Sequence, residues 1–170
     1  YVRQESWIQD IRAFKEFVTP PIVLVADVLK ELGLEKGYVG LETEYLAASY
    51  YHHLTELLPS LRIAGCEDLF ARVRMYKTAK EVKILTDGYR NTEKALLSTY
   101  INVQVGETEK SMANRLAAAM LHTGADSTAF YHINAGPNTG FPHMAPSGYQ
   151  VKAGDIVKSD CGAFYSGYYS

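Results

Sequence analysis

The sequence predicts a mixed α/β fold made of two units, and three observations lead to this prediction. Residues 1 to about 72 alternate helix and strand signals, which is typical of a small α/β unit. Two amphipathic helical segments then follow one another without a strand between them. From Thr128 onward, short strand-like runs alternate with turn residues. Because the pattern changes along the chain, we place a domain boundary near residue 74.

The first unit is predicted to alternate short helices and strands. Apolar residues at helical spacing predict a helix from Ile22 to Leu32, and the glycine just beyond it is a typical stop. Gly37 to Leu41 and Leu61 to Ala64 are predicted strands, with a helix from Leu46 to Leu58 between them. Residues 73–77 are predicted to bridge to the second unit.

The second unit is predicted to begin with two capped helices. Thr78 followed by Glu81 is a capping box, in which each side chain satisfies a backbone N–H of the other residue. The apolar spacing behind it predicts a helix of about six turns, which Gly106 is predicted to break. Thr108 is predicted to cap the second helix, and Gly124 is predicted to end it.

The rest of the second unit is predicted to be β-structure. Ala129 to Asn134 is a predicted strand, followed by a turn-rich loop from Ala135 to Gly140. A tight turn at Gly154-Asp155 leads into a strand predicted from Ile156 to Asp160. Gly162 to Ser170 is predicted to be the partner of that strand.

The composition argues against several classes of partner. The chain has 170 residues, of which 47% are hydrophobic and 21% charged, and its net charge is −2. These values are typical of a soluble globular domain. The basic residues form no cluster that could bind nucleic acid, and no apolar run approaches the roughly 20 residues of a membrane span. Cys66 and Cys161 do not make a disulfide framework, so a reducing cytoplasm is expected.

The two ends of the chain are unusual for a natural protein. The chain starts at Tyr1 without an initiator Met, and it stops at Ser170 inside an aromatic, strand-like stretch. Natural termini are usually polar and loosely attached. We therefore expect the sequence to be a fragment of a longer protein.

Asp160 is the first candidate for chemistry. It ends a predicted strand and is followed by the small residues Cys161 and Gly162, so its carboxylate could reach a metal without ordering a loop. Taken alone, an Asp before a Gly is more often a turn or cap residue. Cys161 as a thiol nucleophile is a weaker alternative, because a strand would point its side chain away from the Asp160 face.

His143 is the second candidate, and it follows the turn-rich loop in Gly140-Phe141-Pro142-His143. An imidazole can bind a metal or donate to a developing oxyanion near neutral pH. Taken alone, a loop histidine more often has neither role. His132, on the preceding strand, is interpreted as a structural residue.

The motifs are more specific together than singly. In chain order they are Gly106-Glu107-Thr108-Glu109, Gly136-Pro137-Asn138, Pro142-His143, Gly154-Asp155, Asp160-x-Gly162 and Gly167-Tyr168. This order and spacing resemble the M24 family of metallopeptidases, which includes Xaa-Pro aminopeptidases, prolidases, methionine aminopeptidases and creatinase. Residues 1–73 resemble, more weakly, the N-terminal domain of the Xaa-Pro peptidase and creatinase branch.

The resemblance implies a pita-bread fold. Residues 1–73 would be the C-terminal part of a creatinase-like N-terminal domain, and residues 74–170 the first half of the catalytic domain. In this family, two Asp, one His and two Glu hold two divalent metal ions. Asp160 matches the first Asp, and the second is expected just after Ser170, so residues 1–170 alone are expected to hold no complete dinuclear centre and to be inactive. His143 matches the active-site His, which contacts the substrate and stabilises the tetrahedral intermediate without binding metal.

The resemblance also implies a function, namely an Xaa-Pro aminopeptidase or dipeptidase that activates water against a bond next to proline. We expect two divalent metal ions, manganese before cobalt, zinc or iron. The expected substrate is a peptide or small amide, and a homodimer is expected. Two alternatives remain: a non-peptidase member of the fold (a creatinase-like or ectoine-type hydrolase, or a lyase), and a metal-free pita-bread binding protein.

Overall fold

The computed structural model describes residues 2–170, and Tyr1, the first residue of the predicted first unit, lies outside this range. The chain forms two compact units that divide between Tyr76 and Lys77. The elements of the first unit are α1 (Val2–Glu5), α2 (Pro21–Glu31), β1 (Tyr38–Leu41), α3 (Ala48–Leu57), β2 (Arg62–Gly65) and α4 (Glu67–Met75). Those of the second are α5 (Ala79–Tyr100), α6 (Glu109–His122), β3 (Ser127–Ala135), a 3₁₀ helix (Gly136–Gly140), β4 (Val157–Tyr165) and β5 (Tyr168–Tyr169).

The predicted mixed α/β fold class is confirmed. In the first unit, β1 and β2 form a parallel pair that runs from Tyr38↔Arg62 to Leu41↔Gly65. Parallel strands need a crossover connection, which α3 provides. The core of this unit lies between α2, α3 and the chain leading into β2, and its buried side chains are Ile22, Ala26, Leu29, Leu54, Leu58 and Leu61.

Helix α4 was not predicted, and residues 73–75, assigned to a bridge from the sequence, belong to it. Its apolar residues Leu69, Phe70 and Val73 are spaced as in a helix but are exposed, and no side chain caps its start at Cys66. Its charges suit the helix dipole instead. Glu67 lies in the first turn and Arg74 in the last, where acidic and basic side chains respectively are stabilising.

The two helices that open the second unit have the predicted caps. Thr78 and Glu81 form the capping box at the start of α5, which spans 22 residues. The Thr108 hydroxyl accepts a hydrogen bond from the backbone of Ser111 at the start of α6. The predicted end of α5 at Gly106 is wrong, because the helix ends at Tyr100 and Gly106 instead occupies a turn with φ of +87°.

The sheet of the second unit has the order β3-β4-β5, with antiparallel pairing throughout. Two separate strands were predicted where there is one, since β4 runs unbroken from Val157 to Tyr165. Asp160 therefore lies in the middle of a strand and not at its end. The strand continues because its following residues still pair with β3. The chain reverses only at Ser166 and Gly167, whose positive φ values suit a two-residue hairpin.

The core of the second unit lies between the sheet and the helices α5 and α6. Its buried residues include Ala95, Met112, Leu116, Met120, Ile133 and Ala163. One face of the sheet is thus packed, and the opposite face is the one that carries the candidate site. Among residues 2–170, no helix is long and apolar enough to cross a membrane.

Candidate functional site

The β3–β4 ladder places four polar residues on one face of the sheet. His132 lies directly opposite Asp160, and Asn134 lies directly opposite Lys158. Ile133, between the two β3 residues, points to the other face and belongs to the buried core. We call His132, Asn134, Lys158 and Asp160 the polar face of the sheet.

Asp160 and His143 are brought together at this face, although His143 comes from a loop. The Nε2 atom of His143 lies 3.6 Å from the Oδ2 atom of Asp160, and the two side chains are 78% and 39% exposed. This distance is too long for a hydrogen bond. Among the described residues, no side chain or backbone N–H donates a hydrogen bond to the Asp160 carboxylate. Its oxygens are therefore available to a ligand.

The loop that carries His143 leaves β3 through a tight turn at Gly136. This residue has a φ of +52°, and a Cβ atom there would lie 2.6 Å from the hydroxyl of Tyr149. That hydroxyl donates a hydrogen bond of 2.9 Å to Asp155. A glycine is therefore required for two reasons, its backbone conformation and the close approach of Tyr149.

Glu109 joins α6 to both sides of the His143 loop. Its Oε1 atom accepts hydrogen bonds from the backbone N–H of Ala135 at 2.7 Å and the amide of Asn138 at 3.0 Å. Its Oε2 atom accepts from the backbone N–H and the hydroxyl of Ser147, at 2.8 and 2.6 Å. Because Asn138 precedes His143 and Ser147 follows it, one buried carboxylate closes the base of the loop.

Glu109 is wholly buried yet stays ionised. Burial favours the protonated acid, but the hydrogen bonds from Ser147, Ala135 and Asn138 outweigh burial and lower the pKa of the carboxyl group. The sequence analysis included Glu109 in a motif without assigning it a role. An acidic residue in the first turn of a helix usually indicates only a favourable interaction with the dipole. The partners that give Glu109 its role are distant in the sequence.

The polar face also holds buried polar atoms that lack partners. The Nδ1 atom of His132 and both polar atoms of the Asn134 side chain are buried, and no described residue forms a hydrogen bond with them. Buried polar atoms are normally satisfied, so such a cluster indicates a place where a further group belongs. His132 was interpreted as structural, and its position opposite Asp160 brings it to the site.

Cys161 lies outside the site. Its side chain packs against the core of the second unit, on the face opposite Asp160, as its position in the strand predicted. Burial, and secondarily the charge of Asp160, raise the pKa of its thiol. A raised pKa keeps the thiol protonated, which is the opposite of what a nucleophile requires.

The polar face can supply one ligand of a metal centre but not the full set of ligands. Asp160 is anionic, accessible and carried by a rigid strand, which suits a divalent cation. Within residues 2–170, however, no three side chains of His, Cys, Asp or Glu come close enough to hold a metal ion together. The described residues thus supply at most part of the ligands that the family resemblance implies.

Two family models match the chain. The model described as metallopeptidase family M24 matches residues 83–170. The model described as the creatinase/prolidase N-terminal domain matches residues 1–76. Together they account for nearly the whole chain, one for each compact unit.

Three known proteins illustrate what the chain is similar to. An Xaa-Pro dipeptidase from Pyrococcus horikoshii is 30% identical over 84% of this chain and 38% of its own length. The solved structure of an Xaa-Pro dipeptidase from Bacillus anthracis has a TM-score of 0.80 and 29% identity, covering 90% of this chain and 42% of that one. A creatinase from a Bacillus species is more distant, at 21% identity over 86% of this chain and 37% of its own length. The chain spans less than half the length of each of these proteins.

Proposed function

The chain belongs to metallopeptidase family M24, and on that premise we propose that the whole protein is a metal-dependent Xaa-Pro peptidase. It would act as an aminopeptidase or dipeptidase on a bond next to proline. The similarity to Xaa-Pro dipeptidases over most of the chain supports this proposal. The single observation that carries it within this chain is the approach of His143 to the accessible carboxylate of Asp160.

Asp160 is proposed as a metal ligand. Its carboxylate is free of hydrogen bonds from the described residues, and its strand is paired with β3 at this position. A ligand on a rigid strand is already oriented before the metal binds. The remaining ligands would come from parts of the protein outside this chain, which is consistent with the incomplete donor set of the described residues.

His143 is proposed as a catalytic residue that faces the substrate and does not bind metal. Its side chain is 78% exposed, so its imidazole can reach a substrate placed beside Asp160. There it would donate a hydrogen bond to the oxyanion that develops on the scissile carbonyl. Two bound divalent ions, manganese before cobalt, zinc or iron, would supply an activated water and polarise the carbonyl.

The organisation of the whole protein is part of the proposal. Residues 1–73 would form the C-terminal part of a creatinase-like N-terminal domain, and residues 74–170 the first half of the pita-bread catalytic domain. Both family matches support this division. A cytoplasmic homodimer acting on peptides or small amides follows from the resemblance of the motifs to those of the family.

A creatinase-like hydrolase is the second candidate, because a creatinase is among the proteins that the chain resembles. The chemistry shared by the two candidates is the attack of water on a carbon bonded to nitrogen. They differ in the substrate.

An assay of the full-length protein tests the proposal. The protein is stripped of metal, reconstituted with Mn²⁺, and given an Xaa-Pro dipeptide, an Xaa-Pro-Xaa tripeptide or creatine. The expected result is cleavage of at least one proline peptide, with no cleavage of the matched peptide in which alanine replaces proline. Cleavage of creatine alone supports the creatinase-like function. Metal binding without cleavage of any of the three overturns the peptidase proposal.

A further inference from the structure

Lys158 makes an unusual contact on the polar face of the sheet. It lies on β4 two residues before Asp160, so both side chains project from the same face. No ion pair joins the two residues among those that the structure describes. Instead, the Lys158 ammonium donates hydrogen bonds to the backbone carbonyls of Phe141 and, at 3.0 Å, Pro142.

These two carbonyls immediately precede His143. The Pro142 carbonyl belongs to the peptide bond that connects Pro142 to His143, so a hydrogen bond to it restrains the backbone from which the imidazole extends. An ammonium group donating to a carbonyl makes a charge-assisted bond, which is stronger than a bond between neutral groups. Lys158 thus attaches the tip of the loop, residues 141–146, to the strand that carries Asp160.

The rest of the loop tip has few other attachments. Between Phe141 and Pro146, two kinds of backbone hydrogen bond occur among the described residues. One is the pair donated by Lys158, and the other is a bond of 3.3 Å from the Phe141 N–H to the Asn138 carbonyl. Glu109 holds the loop at its base, through Asn138 and Ser147. His143 lies between the carbonyls bound by Lys158 and the bond from Ser147 to Glu109, and its own side chain is largely exposed.

We propose that Lys158 is a positioning residue that holds the His143 loop against β4, so that the imidazole stays beside Asp160. The expected effect of Lys158 on catalysis rests on the proposed peptidase function, whereas its restraint of the loop does not. Because the Lys158 ammonium donates to the loop carbonyls and forms no ion pair with Asp160, it restrains the loop without occupying the oxygens of that carboxylate. Its loss frees the loop and changes the rate of the reaction more than the binding of metal or substrate.

The test compares Lys158→Met, which keeps the length of the side chain but removes its hydrogen bonds, with Lys158→Arg, which keeps donors and charge. Lys94→Met, at an exposed position of α5, is the matched control for losing one positive charge. All variants are made in the full-length protein. Backbone NMR order parameters at His143 and Met144, which report the mobility of the loop, are measured together with kcat, KM and metal content.

Lys158→Met is expected to lower the backbone order parameters at His143 and Met144 and to lower kcat by about ten- to a hundredfold, the effect of a misplaced catalytic group. KM and metal content are expected to change little, and Lys158→Arg is expected to recover most of the loss. In a His143→Ala background, Lys158→Met is expected to cost no further activity. A merely structural role would lower activity equally in both backgrounds, and that result would overturn the proposal.

The backbone order parameters separate a failure of this inference from a failure of the proposed function. If the wild-type protein cleaves none of the substrates, the peptidase proposal fails, while lower order parameters in Lys158→Met still support the attachment of the loop. If the order parameters at His143 and Met144 are the same in Lys158→Met, Lys94→Met and the wild type, Lys158 does not hold the loop. The inference is then wrong whatever the activity.

Discussion

The Nε2 atom of His143 lies 3.6 Å from the Oδ2 atom of Asp160, and both side chains reach solvent. An exposed pair at this distance contributes little to folding, because water and salt screen it. The two residues also belong to different elements, a loop and the middle of a strand. Neither residue is therefore expected to be important for folding, so substitutions at both positions can test their roles directly.

His143→Ala in the full-length protein is expected to keep the metals and lose most of kcat. Removing one donor to an oxyanion costs about a hundred- to a thousandfold in kcat, while an exposed substitution changes stability by only about 0.5 kcal/mol. Steady-state kinetics, metal analysis and thermal melting measure these effects. His122→Ala, at the end of α6, is the control. Loss of metal from His143→Ala would show that His143 is a ligand.

Asp160→Asn is expected to weaken metal binding strongly and to leave the metal-free protein as stable as before. The Asp160 carboxylate accepts no hydrogen bond from the described residues, so replacing it with an amide removes no contact that stabilises the fold. Asp155→Asn makes an informative contrast, because Asp155 accepts hydrogen bonds from Tyr149 and Lys152. That variant should lose about 1 kcal/mol of stability and keep its metal. Calorimetric titration with Mn²⁺ and thermal melting distinguish the two; equal metal affinity in both would contradict the role of Asp160.

Glu109→Gln is expected to loosen the base of the His143 loop. A glutamine side chain has a single acceptor oxygen, so at least one of the donors from Ala135, Asn138 and Ser147 would face an NH₂ group. Leaving a buried donor unsatisfied costs about 1–3 kcal/mol. Amide exchange of residues 134–147 measures the loss, with the exposed Glu93→Gln of α5 as control. Unchanged protection of this segment would show that Glu109 does not hold the loop.

The effect of Glu109 should also depend on pH. Burial raises the pKa of Glu109, but the hydrogen bonds from Ser147, Ala135 and Asn138 outweigh burial and lower the pKa in the folded protein. A carboxyl group whose pKa is lower in the folded than in the unfolded protein stabilises the fold at pH values above its unfolded pKa, which is about 4.3 for Glu. This stabilisation is lost as the pH falls through the folded pKa. Protection of residues 134–147 should therefore fall in acid below that pH. The decline should be smaller in Glu109→Gln, and equal declines would contradict the assignment.

Glu67 allows a parallel test in the first unit. The hydroxyl of Thr43 donates to its carboxylate at 2.7 Å and the backbone N–H of Glu44 at 3.1 Å. These bonds, the one from Thr43 first, lower its pKa from 4.5 to about 2. Glu67→Gln should therefore weaken protection of residues 38–75 at neutral pH, and the difference from wild type should vanish between pH 4.5 and about 2.

Asp68→Asn is the control for Glu67→Gln, because Asp68 lies in the same first turn of α4. It removes a similar charge from the helix N-terminus and none of the bonds from Thr43 and Glu44. If Asp68→Asn reproduced the effect of Glu67→Gln, the helix dipole and not the hydrogen bonds would be responsible.

Features with a local cause could be predicted from the sequence alone. The caps at Thr78 and Thr108 depend on residues within one helical turn, so their spacing in the sequence is sufficient to identify them. The same holds for the periodic apolar residues that mark α2, α3, α5 and α6. Helix α4, which has no side-chain cap and buries none of its residues, was not predicted.

The tertiary structure decided what depends on distant partners. Whether β4 stops at Asp160 or continues is decided by its pairing with β3, whose residues lie far back along the chain. The contacts of Glu109 with Ser147, and of Lys158 with the carbonyls before His143, join residues separated by 38 and 16 to 17 positions. The sequence by itself determined the family, and it predicted Asp160 and His143 as site residues. Only the fold showed which side chains form hydrogen bonds with the loop that carries His143, because a local sequence pattern does not reveal such long-range contacts.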